Sequence, residues 1–187
     1  MGTKRAFIHQ SEIKGTDKEV SGDRKRTPEH AVEIILPFLK REVPPPAVLW
    51  EPTSWGDGNN PFKKVLERHG YSVVETGIET GEDFLTYLPK FRFDAIITNP
   101  PYSLKTEFIR KCYEYEKPWF LLLPITAIEG KSRWGLYEKN GVNLVLPKGR
   151  IEFDKESKSG SWFYVAWFFW IPGGENGRLY FYGESGG

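Results

Sequence analysis

Short apolar, β-branched runs alternate with helix-patterned segments along most of the chain, and nothing else in the sequence restricts the fold as much. Residues 47–50, 71–74, 94–98, 119–123 and 142–146 read as strands. Residues 61–69, 104–115 and 133–139 read as helices between them. A helix start precedes the series: Thr27 as N-cap, Pro28 in the first helical position, then Glu29. Val32, Ile35, Leu36 and Leu39 continue it at helical spacing, and Pro44, Pro45 and Pro46 stop it. Such alternation implies a parallel sheet with helices on both faces. The C-terminal third differs. Residues 162–171 and 178–182 are aromatic strands joined by Pro172, Gly173 and Gly174, which predicts an antiparallel edge. The expected architecture is α/β: a doubly wound, mostly parallel sheet with an antiparallel C-terminal strand.

At 187 residues the chain is expected to form one domain, since domains run to roughly 100–200 residues. Residues 1–26 are polar, end in Arg24, Lys25 and Arg26, and read as a flexible arm; residues 27–187 read as the folded domain. The net charge of +1 excludes a binder that is basic throughout, so any nucleic-acid contact must come from a local patch. Aromatic residues reach 16%, enough to fill a core and leave flat surfaces for stacking, and most of the excess is expected in sheet core near the C-terminus. Cys112, the single cysteine, cannot form an intrachain disulfide, and the three histidines show no metal-ligand spacing. The apolar stretches 118–128 and 161–171 fall short of the roughly 20 residues a membrane helix needs. A cytoplasmic protein without metal or membrane contact is expected.

The chemistry concentrates at Asp94–Tyr102, where a buried strand runs into Asn99-Pro100-Pro101-Tyr102. Ligands of open α/β sheets bind beyond the carboxyl ends of strands, where this turn falls. An amino group on a planar ring is a poor nucleophile because its lone pair is delocalised. Methylating it requires acceptors for its two hydrogens and a surface that holds the ring. The Asn99 side-chain oxygen and the Pro100 carbonyl can accept, two prolines stiffen the turn, and Tyr102 offers a stacking face. A plain proline turn after a strand is the competing reading.

Asn-Pro-Pro-Tyr after an apolar strand resembles the catalytic motif of amino-methyltransferases that use S-adenosylmethionine, chiefly adenine-N6 DNA methyltransferases. The succession 81–85, 117–124 and 149–153 is similar to the compact phage-type and restriction-associated members, over roughly residues 27–171. The resemblance implies a Rossmann-like, class I methyltransferase fold and S-adenosylmethionine as cofactor. It assigns Asn99, Pro100, Pro101 and Tyr102 to catalysis. Thr27 and Pro28 resemble the segment that helps hold the methionine part of the donor. Glu51 and Pro52, followed by Gly56 and Gly58, resemble the acidic, glycine-containing loop that lets backbone approach it. Asp83 and Phe84 resemble the pair beside its adenine, and Asn99 belongs to both sites. The chain departs from the family in two places. Thr53, Ser54 and Trp55 lengthen the loop, with a bulky Trp where small residues are usual. Gly77 stands where an acid normally holds the donor ribose, with Glu75 and Glu79 on either side out of register.

Lys105, Lys131 and Arg133 follow strands that end at one sheet edge, so they form a candidate rim for a nucleic-acid backbone. Arg150, with Lys155 and Lys158, forms a second candidate phosphate track, and an ordinary charged loop is the alternative. Phe153 and Trp162 are the aromatic candidates to face a flipped base, although Trp162 reads first as core. The expected function is methyl transfer to adenine N6 in DNA, with the base extruded from the duplex. The length leaves no room for a separate target-recognition domain, which implies low sequence specificity or a protein partner that supplies it. Methylation of RNA adenine or guanine, or of protein glutamine, uses the same turn. A non-catalytic nucleic-acid-binding or partner-binding protein is the alternative of a different class.

Overall fold

The computed structural model describes residues 26–153 and 164–183. The strands are β1 (Val48–Glu51), β2 (Ser72–Glu75), β3 (Ala95–Thr98), β4 (Trp119–Pro124), β5 (Asn143–Pro147), β6 (Val165–Trp170) and β7 (Leu179–Tyr182). The helices are α1 (Glu29–Glu42), α2 (Pro61–Arg68), α3 (Lys105–Glu114) and α4 (Lys131–Asn140). All these strands join one sheet in the order β2-β1-β3-β4-β6-β5-β7. Only β6 runs against its neighbours, antiparallel to both β4 and β5. The other pairings are parallel.

Successive strand residues face opposite sides of a sheet, and the core divides accordingly. Leu49, Ile97, Phe120, Leu122, Trp167 and Phe169 pack with α1 and α2 on one face. Trp50, Ile96, Trp119, Leu121, Leu123 and Phe168 pack with α3 and α4 on the other. All of β4 is buried, as an interior strand covered on both faces must be. Each such Leu or Phe withdrawn from water contributes roughly 1.5–3 kcal/mol. The Trp167 indole also donates to the Ala31 carbonyl (2.8 Å), tying α1 to β6. No helix among the described residues is long and apolar enough to cross a membrane.

Three sequence expectations change. First, the two aromatic strands are not a hairpin: β6 is inserted between β4 and β5, and β7 passes to the far side of β5. The connection is latched by two asparagines. Asn143, fully buried at the start of β5, donates to Asn176 Oδ1 (2.9 Å) and to the Glu175 carbonyl (3.2 Å). It also accepts from the Arg178 N–H (3.0 Å), while Asn176 Nδ2 donates to the carbonyls of Ile171 (2.9 Å) and Gly174 (3.1 Å). A two-residue turn cannot pass around β5; this bonded loop can. Second, Thr27 does not cap α1: the capping position is Pro28, with no side-chain bond to the first turn. Third, the aromatic excess is not mostly C-terminal. Phe84, Tyr87, Phe91, Phe93 and Tyr115 surround Trp50 with ring centroids 5.0–6.4 Å from it. No α-helix forms between β2 and β3, and these rings cover the sheet there instead.

Candidate active site

The carboxyl ends of β1, β2 and β3 meet at one edge of the sheet, and the polar residues there are bonded around a single carboxylate. Glu51 closes β1 and is 1% exposed. Its Oε1 accepts from the Thr98 hydroxyl (2.6 Å), the Thr53 hydroxyl (2.8 Å) and the Thr53 N–H (2.9 Å). Its Oε2 accepts from Asn60 Nδ2 (2.7 Å), while Asn60 Oδ1 caps α2 at the Phe62 N–H (2.9 Å). Glu51 therefore joins β1, β3, the loop after β1 and the start of α2. Burial pushes its carboxyl up from the ordinary value, and the bonds from Thr98, Thr53 and Asn60 offset only part of that.

The loop after β1 continues alongside β2. Thr76 N–H donates to the Glu51 carbonyl (3.0 Å), and Ser54 N–H to the Thr76 carbonyl (2.9 Å). A Cβ on Gly77 would lie 2.0 Å from the Ser54 carbonyl oxygen. No side chain fits at Gly77 unless the loop after β1 moves. Glu75 is engaged below, accepting from the Ser54 hydroxyl (2.8 Å) and pairing with Lys63 (3.1 Å). Burial pushes its carboxyl up, but the bonds from Ser54 and Lys63 outweigh this and hold it below its ordinary value.

Two adjoining clefts, both open to solvent, lie above this network. Thr53, Trp55 and Asn99 line both and form their common wall. Thr27, Glu51 and Asn60 line the first; Pro52, Glu79, Asp83, Phe84 and Pro101 line the second. At the mouth of the first, the Arg26 guanidinium lies 4.6 Å from the centre of the Trp55 ring and pairs with Asp57.

Asn99 follows β3 directly. Its Nδ2 donates to the Thr27 hydroxyl across 72 residues of sequence (3.0 Å), and its backbone carbonyl lies 3.4 Å from the Thr53 hydroxyl. Its Oδ1 is buried without a hydrogen-bond partner among the described residues. Pro100 is buried, and the half-buried Tyr102 packs against both cores. Lys105 closes the turn by donating to the Tyr102 carbonyl (2.9 Å).

Several residues singled out from the sequence sit elsewhere. Gly56 and Gly58 line neither cavity; both are exposed with φ of 68° and 71°, and they bend the loop on its outer side. Pro28 lines neither cavity and instead opens α1. Phe84 walls the second cavity, but Phe108 is stacked on it at 4.7 Å and it is 1% exposed, so it is no free platform. Arg133 is lost to the phosphate rim: it donates to the Ala127 carbonyl (2.7 Å), the Thr106 hydroxyl (2.8 Å) and the Glu129 carbonyl. Lys105 is turned inward as described. Lys131 and Arg150 are exposed, and Phe153 packs against the first core. Arg24, Lys25, Lys155, Lys158 and Trp162 lie outside the described residues. The sequence reading missed Thr53, Thr98 and Asn60. The Asn60-Pro61 pair carries a legible cap signal for the last of these.

A mostly parallel sheet with one antiparallel strand inserted near its end, and a cleft beyond the ends of its first strands, define the class I methyltransferase fold. No protein-family model and no curated protein sequence matches the chain. Among solved structures it is similar to PH1948 from Pyrococcus horikoshii, a candidate RNA methyltransferase. That match has 15% identity and a TM-score of 0.52, and covers 84% of this chain and 90% of that one. It also matches Atu636 from Agrobacterium tumefaciens, a predicted O-methyltransferase, at 16% identity and a TM-score of 0.38, over 72% and 65% of the two chains. At 15% identity the likeness to PH1948 is one of fold.

Proposed function

We propose that the protein transfers a methyl group from S-adenosylmethionine to the exocyclic N6 of adenine in DNA. The observation that carries this is the Asn99 side chain: an amide oxygen, buried and without a hydrogen-bond partner among the described residues, on a stiff turn in the wall shared by two cavities. An unpaired buried acceptor costs stability, roughly 1–3 kcal/mol, and a donor that arrives with a ligand removes that cost. A planar amino group brings two such donors, one for Asn99 Oδ1 and one for the Pro100 carbonyl.

The residues fit the donor as well. The first cavity is polar and backed by the Glu51 carboxyl, which suits the cationic amino-acid part; the second, with Asp83, Phe84 and Glu79, suits the adenosine part. The donor supplies a methyl group on a positively charged sulfur. Asn99 and Pro100 orient the amino nitrogen so that its lone pair meets the methyl carbon. A C–N bond forms as the C–S bond breaks, the sulfur keeps the electron pair and becomes a neutral thioether, and the nitrogen loses a proton to water. Positioning supplies most of the rate.

Labelled methyl transfer to DNA, RNA and protein pools tests this reading. Asn99→Ala is expected to lower the rate by roughly a hundredfold or more. Label appearing in RNA or protein instead of DNA would replace the substrate, and full activity in Asn99→Ala would refute the site.

A further inference from the structure

Building on the amino-methyl-transfer reading, we propose that Thr27 is a positioning residue that fixes the polarity of the Asn99 amide. An amide side chain is nearly symmetrical in shape, so rotation by half a turn exchanges its oxygen and its NH2 at little steric cost. A reversed Asn99 would present two hydrogens to the incoming amino group, donor against donor. Its hold on the correct orientation therefore matters to the reaction.

The structure places one hydroxyl on this amide from a distant part of the chain. Thr27 is 6% exposed and accepts from Asn99 Nδ2 at 3.0 Å. It is free to do so because it does not cap α1; the first turn closes through the Pro28 carbonyl and the Ala31 N–H (3.0 Å). The Trp167 bond to the Ala31 carbonyl holds this end of α1 on the sheet, so the hydroxyl has a fixed position. A hydroxyl can donate as well as accept, and what remains unpaired decides the polarity. With Nδ2 on Thr27, a single acceptor, Oδ1, is left over in a buried place. The reverse would strand an NH2 there, and orphaned N–H groups are rarer than under-used carbonyl oxygens. Thr27 anchors the amide, and burial selects the orientation in which Oδ1 faces substrate.

Thr27 also lines the first cavity, so the experiment must separate positioning from donor contact. Thr27→Val keeps the shape and removes the hydroxyl; Thr27→Ser keeps the hydroxyl. Thr27→Val is expected to lower kcat roughly tenfold, about the worth of one hydrogen bond, with donor affinity within about twofold of the parent. Thr27→Ser is expected to recover most of that loss. A readout independent of turnover is the Asn99 side-chain NH2 resonance, assigned by its disappearance in Asn99→Ala. Its exchange with water is expected to quicken in Thr27→Val and not in Thr27→Ser. Unchanged kcat in Thr27→Val, or donor affinity lost with kcat retained, overturns the proposal, as does an unchanged Asn99 resonance. Absence of methyl transfer by the parent protein refutes the functional reading alone, and the resonance still decides the Thr27 contact.

Discussion

Glu51 ties together the elements that back the first of the proposed donor cavities. Its carboxyl is buried and bonded on both oxygens, and burial raises its pKa from the ordinary 4.5. For a carboxyl raised in this way, the protonated form is favoured by folding. Its contribution to stability is full below pH about 4.5 and is lost as pH rises through the higher folded value. A cation in the first cavity reverses the preference and favours the ionised form. Affinity for S-adenosylmethionine is therefore expected to climb with pH through the range where Glu51 of the free protein ionises, to level off above it, and to release protons within that range. Calorimetry in buffers of different ionisation enthalpy measures the release. Glu51→Gln is expected to flatten the profile, and to cost about 1–3 kcal/mol because its NH2 meets donors on Thr53, Thr98 or Asn60. A parent protein whose affinity ignores pH in this window would count against the assignment.

Among the elements, the passage from β6 to β7 is held to the start of β5 by the asparagine latch. Asn143 is buried and bonds to Glu175, Asn176 and Arg178. Asn143→Ala is expected to cost about 2–3 kcal/mol and lower the melting temperature by roughly 5–10 °C. An unchanged melting curve would mean that β7 is held by its pairing with β5 alone. The same elements mark the limit of sequence reading. Strand and helix positions were legible, because apolar runs at a fixed spacing are local signals, as was the turn at Asn99 to Tyr102 that follows β3. The strand order past β4 was not, since Pro172, Gly173 and Gly174 mark a change of direction without telling which strand is the next neighbour. At the site, Asn99, Glu51 and Thr27 could be named, but Thr53, Thr98 and Asn60 could not, nor could the pairing of Thr27 with Asn99. A threonine carries no sign of which distant group its hydroxyl will meet. Arg133 misled for a related reason: its charge is visible in sequence, whereas the carbonyls that occupy it are supplied by the folded loop.

Across the whole molecule, two cores back the cleft, one on each face of a shared sheet. Cys112 sits in the core under α3 with no exposure, and burial raises its thiol well above the ordinary value. It is expected to resist iodoacetamide until the fold opens, with labelling and loss of circular dichroism sharing one urea midpoint. Labelling well before that midpoint would show α3 opening on its own.

The position of β6 also bears on when the molecule can take shape during synthesis. A ribosome delivers β5 before β6, yet β5 reaches the sheet only through β6, and β7 then pairs with β5. Until residues 165–170 have emerged, the sheet ends at β4, a wholly apolar strand with one side unpaired. The nascent chain thus carries an adhesive edge for the interval in which the following 40 or so residues are made, a template of the kind that recruits other strands. Its yield in a cell is governed as much by what shields β4 during that interval as by the stability of the finished protein.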